Sequence, residues 1–341
     1  MRKRNLQAVE KRRSFKAGVF ILCAIAVASI AAGILVMRAA QTAQEPEFKT
    51  ALKTEERAER FPVSVNPHTK EIAENPFVLG YFDEHVAIKD SSRSWRQKAK
   101  GTLALMHWYQ NLASLSSRTL IIQPGERKEQ VAHNFGKIMD WDDVQKKEFI
   151  ELVGSSAPKI AEGKFQPGSY TIHKSALPSD VASLVLKEFE NEVLSRYSEE
   201  VEALVPLADT LIIASLLERE AFDFEDMRKI SGVIWNRLFI GMKLQIDATL
   251  QYAKGSRETE PWWPRVRPAD KYIPSPYNTY KHEGLPPASI ANASVGAIIA
   301  ALNPKKTDCL YYFHDRRGLF HCAKDYAEHI KLLKQYYGRG T

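Results

Sequence analysis

The sequence predicts an α+β protein: a single N-terminal transmembrane helix, a small α/β module, and a mostly helical C-terminal domain with short strands. Three observations predict it. An uncharged run of about twenty-one residues lies between Ala17 and Met37. Strand, turn and helix signals alternate over residues 118–204. From 205 to 341 helical patterns dominate, broken by one hairpin-like string, DCLYYFHDRRGLFHC. A chain of 341 residues has room for one large domain or two modest ones.

The N-terminus comes first. AGVFILCAIAVASIAAGILVM, as a helix, rises roughly 30 Å and crosses the hydrocarbon core. The basic tail 1–16 before it predicts a cytoplasmic N-terminus and an exported body. The expected location is therefore the inner (cytoplasmic) membrane, single-pass, with the body on the periplasmic or extracytoplasmic side and membrane lipid as the partner of residues 17–37. A cleaved signal peptide is the alternative, helped by Ala39, Ala40 and Ala43, although the run is long for such a signal. A lipoprotein needs a small residue before Cys23, and Leu22 stands there.

Charge follows the same division. Of 48 Lys and Arg and 41 Asp and Glu, eight basic residues and one acidic residue fall within 1–38, which leaves 40 of each sign in the rest. The net +7 thus belongs to the N-terminal segment. The body has no surplus to attract phosphate backbones, so nucleic acid is not an expected partner. An apolar fraction of 44% and a charged fraction of 26% exclude disorder throughout.

Residues 38–60 are polar and helix-prone and read as a stalk. Residues 61–117 are poorly defined; FVLGYF and LALMHWYQNL are aromatic-apolar patches that pack onto something, with a helix expected over 96–115. The module 118–204 opens with the strand RTLIIQPG and its Pro-Gly turn, then a helix around Arg127–Met139 and another around Asp142–Leu152. GKFQPGSYTIH reads as two short strands around a turn. Pro178, Ser179 and Asp180 open a further helix, with Ser179 as N-cap.

In 205–341, ADTLIIASLLERE is a helix with Asp209 as candidate cap, and FEDMRKISGVIWNRLFIG is a second one stopped by Gly241. MKLQIDATLQYAKGS reads as a loop. A Pro/Trp-rich stretch and SPYNTYKHEGLPPASIANAS, too rich in Gly, Pro and Asn for a regular element, follow. The helix SVGAIIAALNP, the hairpin with its turn near Asp315–Gly318, and the helix DYAEHIKLLKQYY complete the order. A symmetric hairpin sets Cys309 and Cys322 roughly opposite each other. A bridge in an oxidising compartment and two free thiols are both open. No Cys/His spacing matches a metal site, and no cofactor is expected.

The candidate chemistry starts at Glu218 and Glu220. Residues two apart on a helix point about 200° apart, so the two carboxylates cannot serve one site. Glu218 shares its face with Leu211, Ala214 and Ser215. Glu220 shares the more apolar face of Ile213, Leu216 and Leu217. An apolar setting desolvates the charged form and raises a carboxyl pKa, which suits a general acid. The bland alternative is a helix-end charge reaching solvent.

LIIASLLERE, GVIWNRLFIGMKLQIDATLQY, SPYNTYKHEGLPPASIANAS, NPKKTDCLYYF and LFHCAKDYAEHIK together, in content and order, resemble the catalytic half of the MltG (YceG-like) family of endolytic murein transglycosylases. The resemblance extends to EGKFQPGSY, Glu162–Tyr170. It implies a lytic transglycosylase that cleaves the MurNAc–GlcNAc β-1,4 bond of nascent glycan strands without water and leaves 1,6-anhydro ends. The second Glu of the family's Glu-x-Glu pattern is Glu220, implied as the single general acid and base. Substrate binding is implied for Gln245, Asp247, Tyr277, Asn278, Thr279, Tyr280 and Glu218. Capping by Asp247 and local packing by the 277–280 loop are the bland readings. Asn236 and Arg237 read as structural, and Gly284, Leu285, Pro286 and Pro287 as fixing a loop backbone. Trp262 and Trp263 stack on sugar or pin a loop to the core. Many members carry a LysM-like module after the membrane helix. Residues 61–117 do not spell that pattern clearly, although FQPGSYTIHKSALPSDVASLVL has some of it. Peptidoglycan strands and cell-wall synthesis proteins are the implied partners. A binding scaffold without activity and a muramidase using water with Asp247 as base are the competing readings.

Overall fold

The structure, a computed structural model, describes residues 59–84, 117–255 and 261–338. The chain divides into two compact units, 1–58 and Glu59–Thr341. The basic tail, the expected membrane span 17–37, most of the stalk and the expected helix 96–115 lie outside the described residues. Among the described residues no helix is long and apolar enough to cross a membrane. The second unit is α+β.

It begins with a brace. Strands β1 (Val65–Asn66) and β2 (Glu71–Ile72) pair antiparallel, and the short helix α1 spans Val78–Phe82. Phe61, Val65, Ile72, Val78 and Tyr81 are buried in the larger of two apolar cores. Ser64 N–H donates to Leu302 O at 3.0 Å, and Phe82 stacks on Phe224 with centroids 3.8 Å apart. The FVLGYF patch therefore packs through Val78, Tyr81 and Phe82, whereas LALMHWYQNL lies outside the described residues.

The module with its own core follows. Strand β3 (Ser117–Ile122) leads to α2 (Lys128–Met139), α3 (Asp143–Ser155), strand β4 (Gly168–His173) and α4 (Pro178–Glu192). β3 and β4 are antiparallel, with Leu120 opposite Tyr170. Phe135, Phe149, Phe165 and Val185 fill the space beneath. Asp142 and Gln145 cap α3 reciprocally, with bonds of 2.8 and 3.1 Å. Two sequence expectations change here. GKFQPGSYTIH gives one strand, because its partner is the distant β3 and because Lys164, buried, ties its ammonium to Ser156 O and Pro158 O. Helix α4 is capped two residues earlier than expected, at Leu177. Pro178 takes the first position, and Asp180 accepts from Leu177 N–H at 2.9 Å, so Ser179 is inside the helix.

The larger core gathers α5 (Glu199–Leu204), α6 (Leu207–Glu220), α7 (Phe224–Phe239), α8 (Asp247–Gly255) and α9 (Val295–Leu302). Helix α9 is apolar all round, as a fully enclosed helix must be, and α6 is buried on every side from Thr210 to Leu217. Asp209 does not cap α6; Glu202 does, accepting from Leu207 N–H at 2.8 Å. Gly232 is required in α7 because a Cβ there would lie 2.2 Å from Lys305 O. The expected loop MKLQIDATLQYAKGS is partly wrong: α8 forms because Ala248, Thr249, Leu250 and Tyr252 bury against the core. Strands β5 (Tyr311–His314) and β6 (Phe320–Ala323) form the expected hairpin, turning at Asp315–Gly318, and α10 (Tyr326–Tyr337) covers it. Cys309 and Cys322 are disulfide-bonded, Cα atoms 5.8 Å apart.

Asn292, fully buried, joins the two cores. Its N–H and its side-chain amide both donate to Glu126 O, at 2.8 and 2.9 Å. Its carbonyl accepts from Gly125 N–H, and its Oδ1 accepts from Phe165 N–H at 3.0 Å.

Candidate active site

Helix α6 ends at Glu220, and the chain turns sharply into α7 with Asp223 capping the new helix. The last turn of α6 therefore presents Glu218 and Glu220 on different sides, as their spacing dictates. Glu218 Oε1 accepts from Ser294 N–H at 2.8 Å. Ser294 is the N-cap of α9, so this carboxylate sits at a helix N-terminus, where negative charge is stabilised. Burial, largest, raises its pKa, and the bonds from Ser294 oppose the rise. Glu218 is thus occupied as a structural tie and is turned away from Glu220.

Glu220 is part-buried and faces the hairpin. Tyr312 Oη donates to its Oε2 at 2.9 Å. Loss of solvent around the carboxyl pushes its pKa up to about 7; the charge of Asp247 adds to the rise. The Tyr312 hydroxyl, the N–H of Ala248 and His314 favour the ionised form. A carboxyl poised near neutrality can both give and take a proton.

Asp247, the first residue of α8, is exposed, and its Oδ1 accepts from Tyr280 Oη at 2.6 Å. Burial, largest, and then Asp247 hold the Tyr280 phenol above its usual value. Gln245 precedes α8 in the left-handed region, φ 51°, with its side chain exposed beside Asp247. Its N–H donates to Thr279 O at 3.1 Å, which docks the two loops together. Glu220, Asp247 and Tyr280 are therefore brought together with Gln245 at the rim.

The rest of the 277–280 loop is committed inward. Asn278 is fully buried; its amide donates to Lys271 O and Ile273 O at 3.0 and 2.9 Å and its Oδ1 accepts from Tyr280 N–H. Thr279 Oγ1 accepts from Ile246 N–H at 3.0 Å and meets Thr249 Oγ1. Tyr277 packs on Tyr252, centroids 4.7 Å apart. These three shape the loop that aims Tyr280, and in this structure their side chains contact protein. Trp262 and Trp263 are pinned by arginines: Arg219 lies 4.0 Å over the Trp263 ring, and Arg127 donates to Trp262 O. Asn236 donates to Thr307 O and Cys309 O, and Arg237 to Leu310 O, so both hold the hairpin base.

Three further contributors were not among the residues the sequence singled out. Tyr312 and His314 alternate with Tyr311 and Phe313, which pack on α10, and this period-two pattern is the signal that puts Tyr312 and His314 on one face. His314 Nε2 contacts both oxygens of Asp226, at 2.9 and 3.1 Å. Phe222, two residues after Glu220, is 72% exposed, with its ring edge-on to His314 at 4.9 Å. An aromatic face open to solvent beside a poised carboxyl is a surface on which a sugar ring can lie.

The YceG-like family profile matches residues 94–335. An endolytic murein transglycosylase of Bacillus subtilis is 36% identical over 197 residues, 56% of this chain and 53% of that protein. An endolytic murein transglycosylase of Streptococcus pneumoniae is 30% identical over 190 residues, 55% of this chain and 34% of that protein. The chain thus spans about half, or less, of the length of these relatives. A crystal structure of a yceG-like protein from Listeria monocytogenes superposes with a TM-score of 0.55 at 26% identity, covering 63% of this chain and 75% of that one.

Proposed function

The chain belongs to the YceG-like family, and from that premise we propose that it is an endolytic peptidoglycan transglycosylase. Its substrate is the β-1,4 bond between N-acetylmuramic acid and N-acetylglucosamine in nascent glycan strands, and its products end in 1,6-anhydro rings. The observation that carries the proposal is the division of labour between two neighbouring carboxyls. Glu218 is spent on capping α9, whereas Glu220 is enclosed, held by Tyr312, and retains its proton up to about pH 7.

One such group suffices for the reaction. Glu220 gives its proton to the leaving glycosidic oxygen as the anomeric C–O bond breaks. The resulting carboxylate faces the cationic sugar ring. It then takes the proton of the 6-hydroxyl of the same muramic acid, while that oxygen bonds to the anomeric carbon and closes the anhydro ring. The proton is returned to Glu220 and no water is consumed. A glycosidase that uses water or a covalent intermediate needs a second carboxylate. Gln245, Asp247 and Tyr280 are the proposed substrate-binding groups at the rim.

Residues 17–37 anchor the enzyme in the cytoplasmic membrane in this proposal, with the tail 1–16 inside and the catalytic body outside. The Cys309–Cys322 bridge supports an oxidising compartment for the body. Wall-synthesis proteins are proposed neighbours.

The exposed Asp247 favours a second reading, a muramidase in which Asp247 activates water. A digest of peptidoglycan by the full chain in micelles, wild type beside Glu220→Gln, separates them by mass spectrometry. Anhydro-ended products from wild type and at least a thousandfold fewer from the variant are expected. Reducing ends one water heavier mean the muramidase. Glycan binding without any cleavage means a scaffold.

A further inference from the structure

Tyr312 lies 92 residues beyond Glu220 in the chain, yet its hydroxyl donates to the Glu220 carboxyl. Its position is fixed from several sides. The ring lies 5.9 Å from that of Phe320 and within 16° of parallel. Its backbone stands opposite Cys322, which is bridged to Cys309. Asn236 and Arg237 of α7 hold the carbonyls of Cys309 and Leu310, just before it. Burial, and next the charge of Glu220, keep the phenol well above its usual value, so it remains a donor across the neutral range.

A carboxyl that accepts a hydrogen bond on one oxygen is no longer symmetric. A proton on Oε2 directed at Tyr312 Oη would turn the phenol hydrogen away from its acceptor and leave a buried donor without its bond; a proton on Oε1 keeps that bond. We propose that Tyr312 is a positioning residue for the acid–base step, its hydroxyl confining the Glu220 proton to Oε1 and holding the carboxyl in one orientation. This rests on Glu220 being the acid–base group.

The neighbours cannot take over the role. The charged and titratable groups facing Glu220 are Asp247 from α8, Tyr280 from the loop docked on it, His314 from β5 and Arg219 from its own helix, and the Ala248 N–H is a second donor to the carboxyl that stays in place whether or not Tyr312 is there. Behind Tyr312 stand Asp226 and Arg237 of α7. The Tyr280 hydroxyl is given to Asp247, His314 Nε2 is engaged with Asp226, and Arg237 is bonded to backbone carbonyls. Without the Tyr312 hydroxyl the ionised carboxyl loses a donor, so its pKa rises, and the proton is shared between both oxygens.

Tyr312→Phe deletes the hydroxyl and keeps the ring on Phe320. In full chain carrying carboxyl-labelled glutamate, with Glu220 assigned by Glu220→Gln, the Glu220 NMR titration midpoint should move up by about one unit in the variant, the usual worth of a hydrogen bond to a charged group. The alkaline limb of kcat/KM should move up equally, and kcat should fall about tenfold. A folded Tyr312→Phe protein with an unmoved midpoint overturns the proposal, because a merely structural role lowers activity without shifting the titration. A wild-type measurement serves if the variant does not fold: the labelled Tyr312 ring signal should titrate with the Glu220 midpoint, and a flat signal overturns the proposal. A shifted midpoint with no glycan cleavage by wild type supports the positioning and refutes the transglycosylase instead.

Discussion

Glu218 and Glu220 are chemically identical and two residues apart, and the fold gives one a helix to cap and the other a phenol to face. That divergence follows from helical geometry and was legible in the sequence. So was a raised pKa for Glu220, read from the apolar face it shares with Ile213, Leu216 and Leu217, although the groups that meet the carboxyl come from α8 and β5. The consequence for stability has a definite sign. The Glu220 pKa is raised from 4.5 to about 7, so the folded protein holds this proton more tightly than the unfolded chain. The contribution is full below about pH 4.5 and is lost as pH rises to about 7. Glu162, buried at the α2 N-terminus and raised to about 8, chiefly by burial, extends the decline. Glu220→Gln should therefore match wild type at pH 4 and exceed it by about 2 kcal/mol at pH 8 in denaturant titrations, the shift discounted for partial solvation. An equal difference at both pH values would remove desolvation as the cause. Asn278 shows what the sequence could not say. An amide in a Gly/Pro/Asn loop reads equally as ligand or scaffold, and burial decides. Asn278→Ala strands two carbonyls and an N–H inside the protein and should cost about 2–4 kcal/mol. Gln245→Ala should change stability by less than about 0.5 kcal/mol while weakening glycan binding. Equal stability losses in the two variants would refute the distinction.

Among the elements, the strongly periodic ones were readable: α2, α3, α6, α7 and α9 all stand where apolar spacing put them. Helix α8 was not, because MKLQIDATLQYAKGS mixes polar and apolar residues and its burial comes from contacts the string does not contain. The caps of α4 and α6 were misplaced for a related reason: the bonds that close those helices come from Asp180, inside the first turn, and from Glu202, in the preceding helix. The hairpin was legible in outline, and its cysteines do pair. What no string declared is that this hairpin closes the site through Tyr312. Closing a loop of this size with a disulfide stabilises by about 3 kcal/mol. Reduction, or Cys309→Ser with Cys322→Ser, should loosen β5 and β6 first and lower glycan cleavage severalfold before circular dichroism registers any loss of helix. Unchanged cleavage with both thiols counted free would uncouple the hairpin from Glu220.

At the scale of the whole molecule, Asn292 joins two apolar cores into one unit, its backbone and its side-chain amide each making two bonds across the seam. The order of elements predicted two groupings; the seam was invisible because its partners, Gly125, Glu126 and Phe165, are more than a hundred residues away. The concentration of positive charge in the first 38 residues, with a neutral body, fits the proposed anchor and a short reach from the membrane. Lengthening the stalk 38–60 should then shift cleavage from newly made strands toward older wall, read by pulse-labelled muropeptides; an unchanged pattern counts against tethering as the selector. The distance along the chain between Glu220 and Tyr312 also sets a schedule. A polypeptide made from its N-terminus presents α6 well before β5 exists. Throughout that interval the carboxyl has no phenol above it and no bridged hairpin beside it. Competence waits for the hairpin, so a chain interrupted before β5 carries the glutamate but not its phenol.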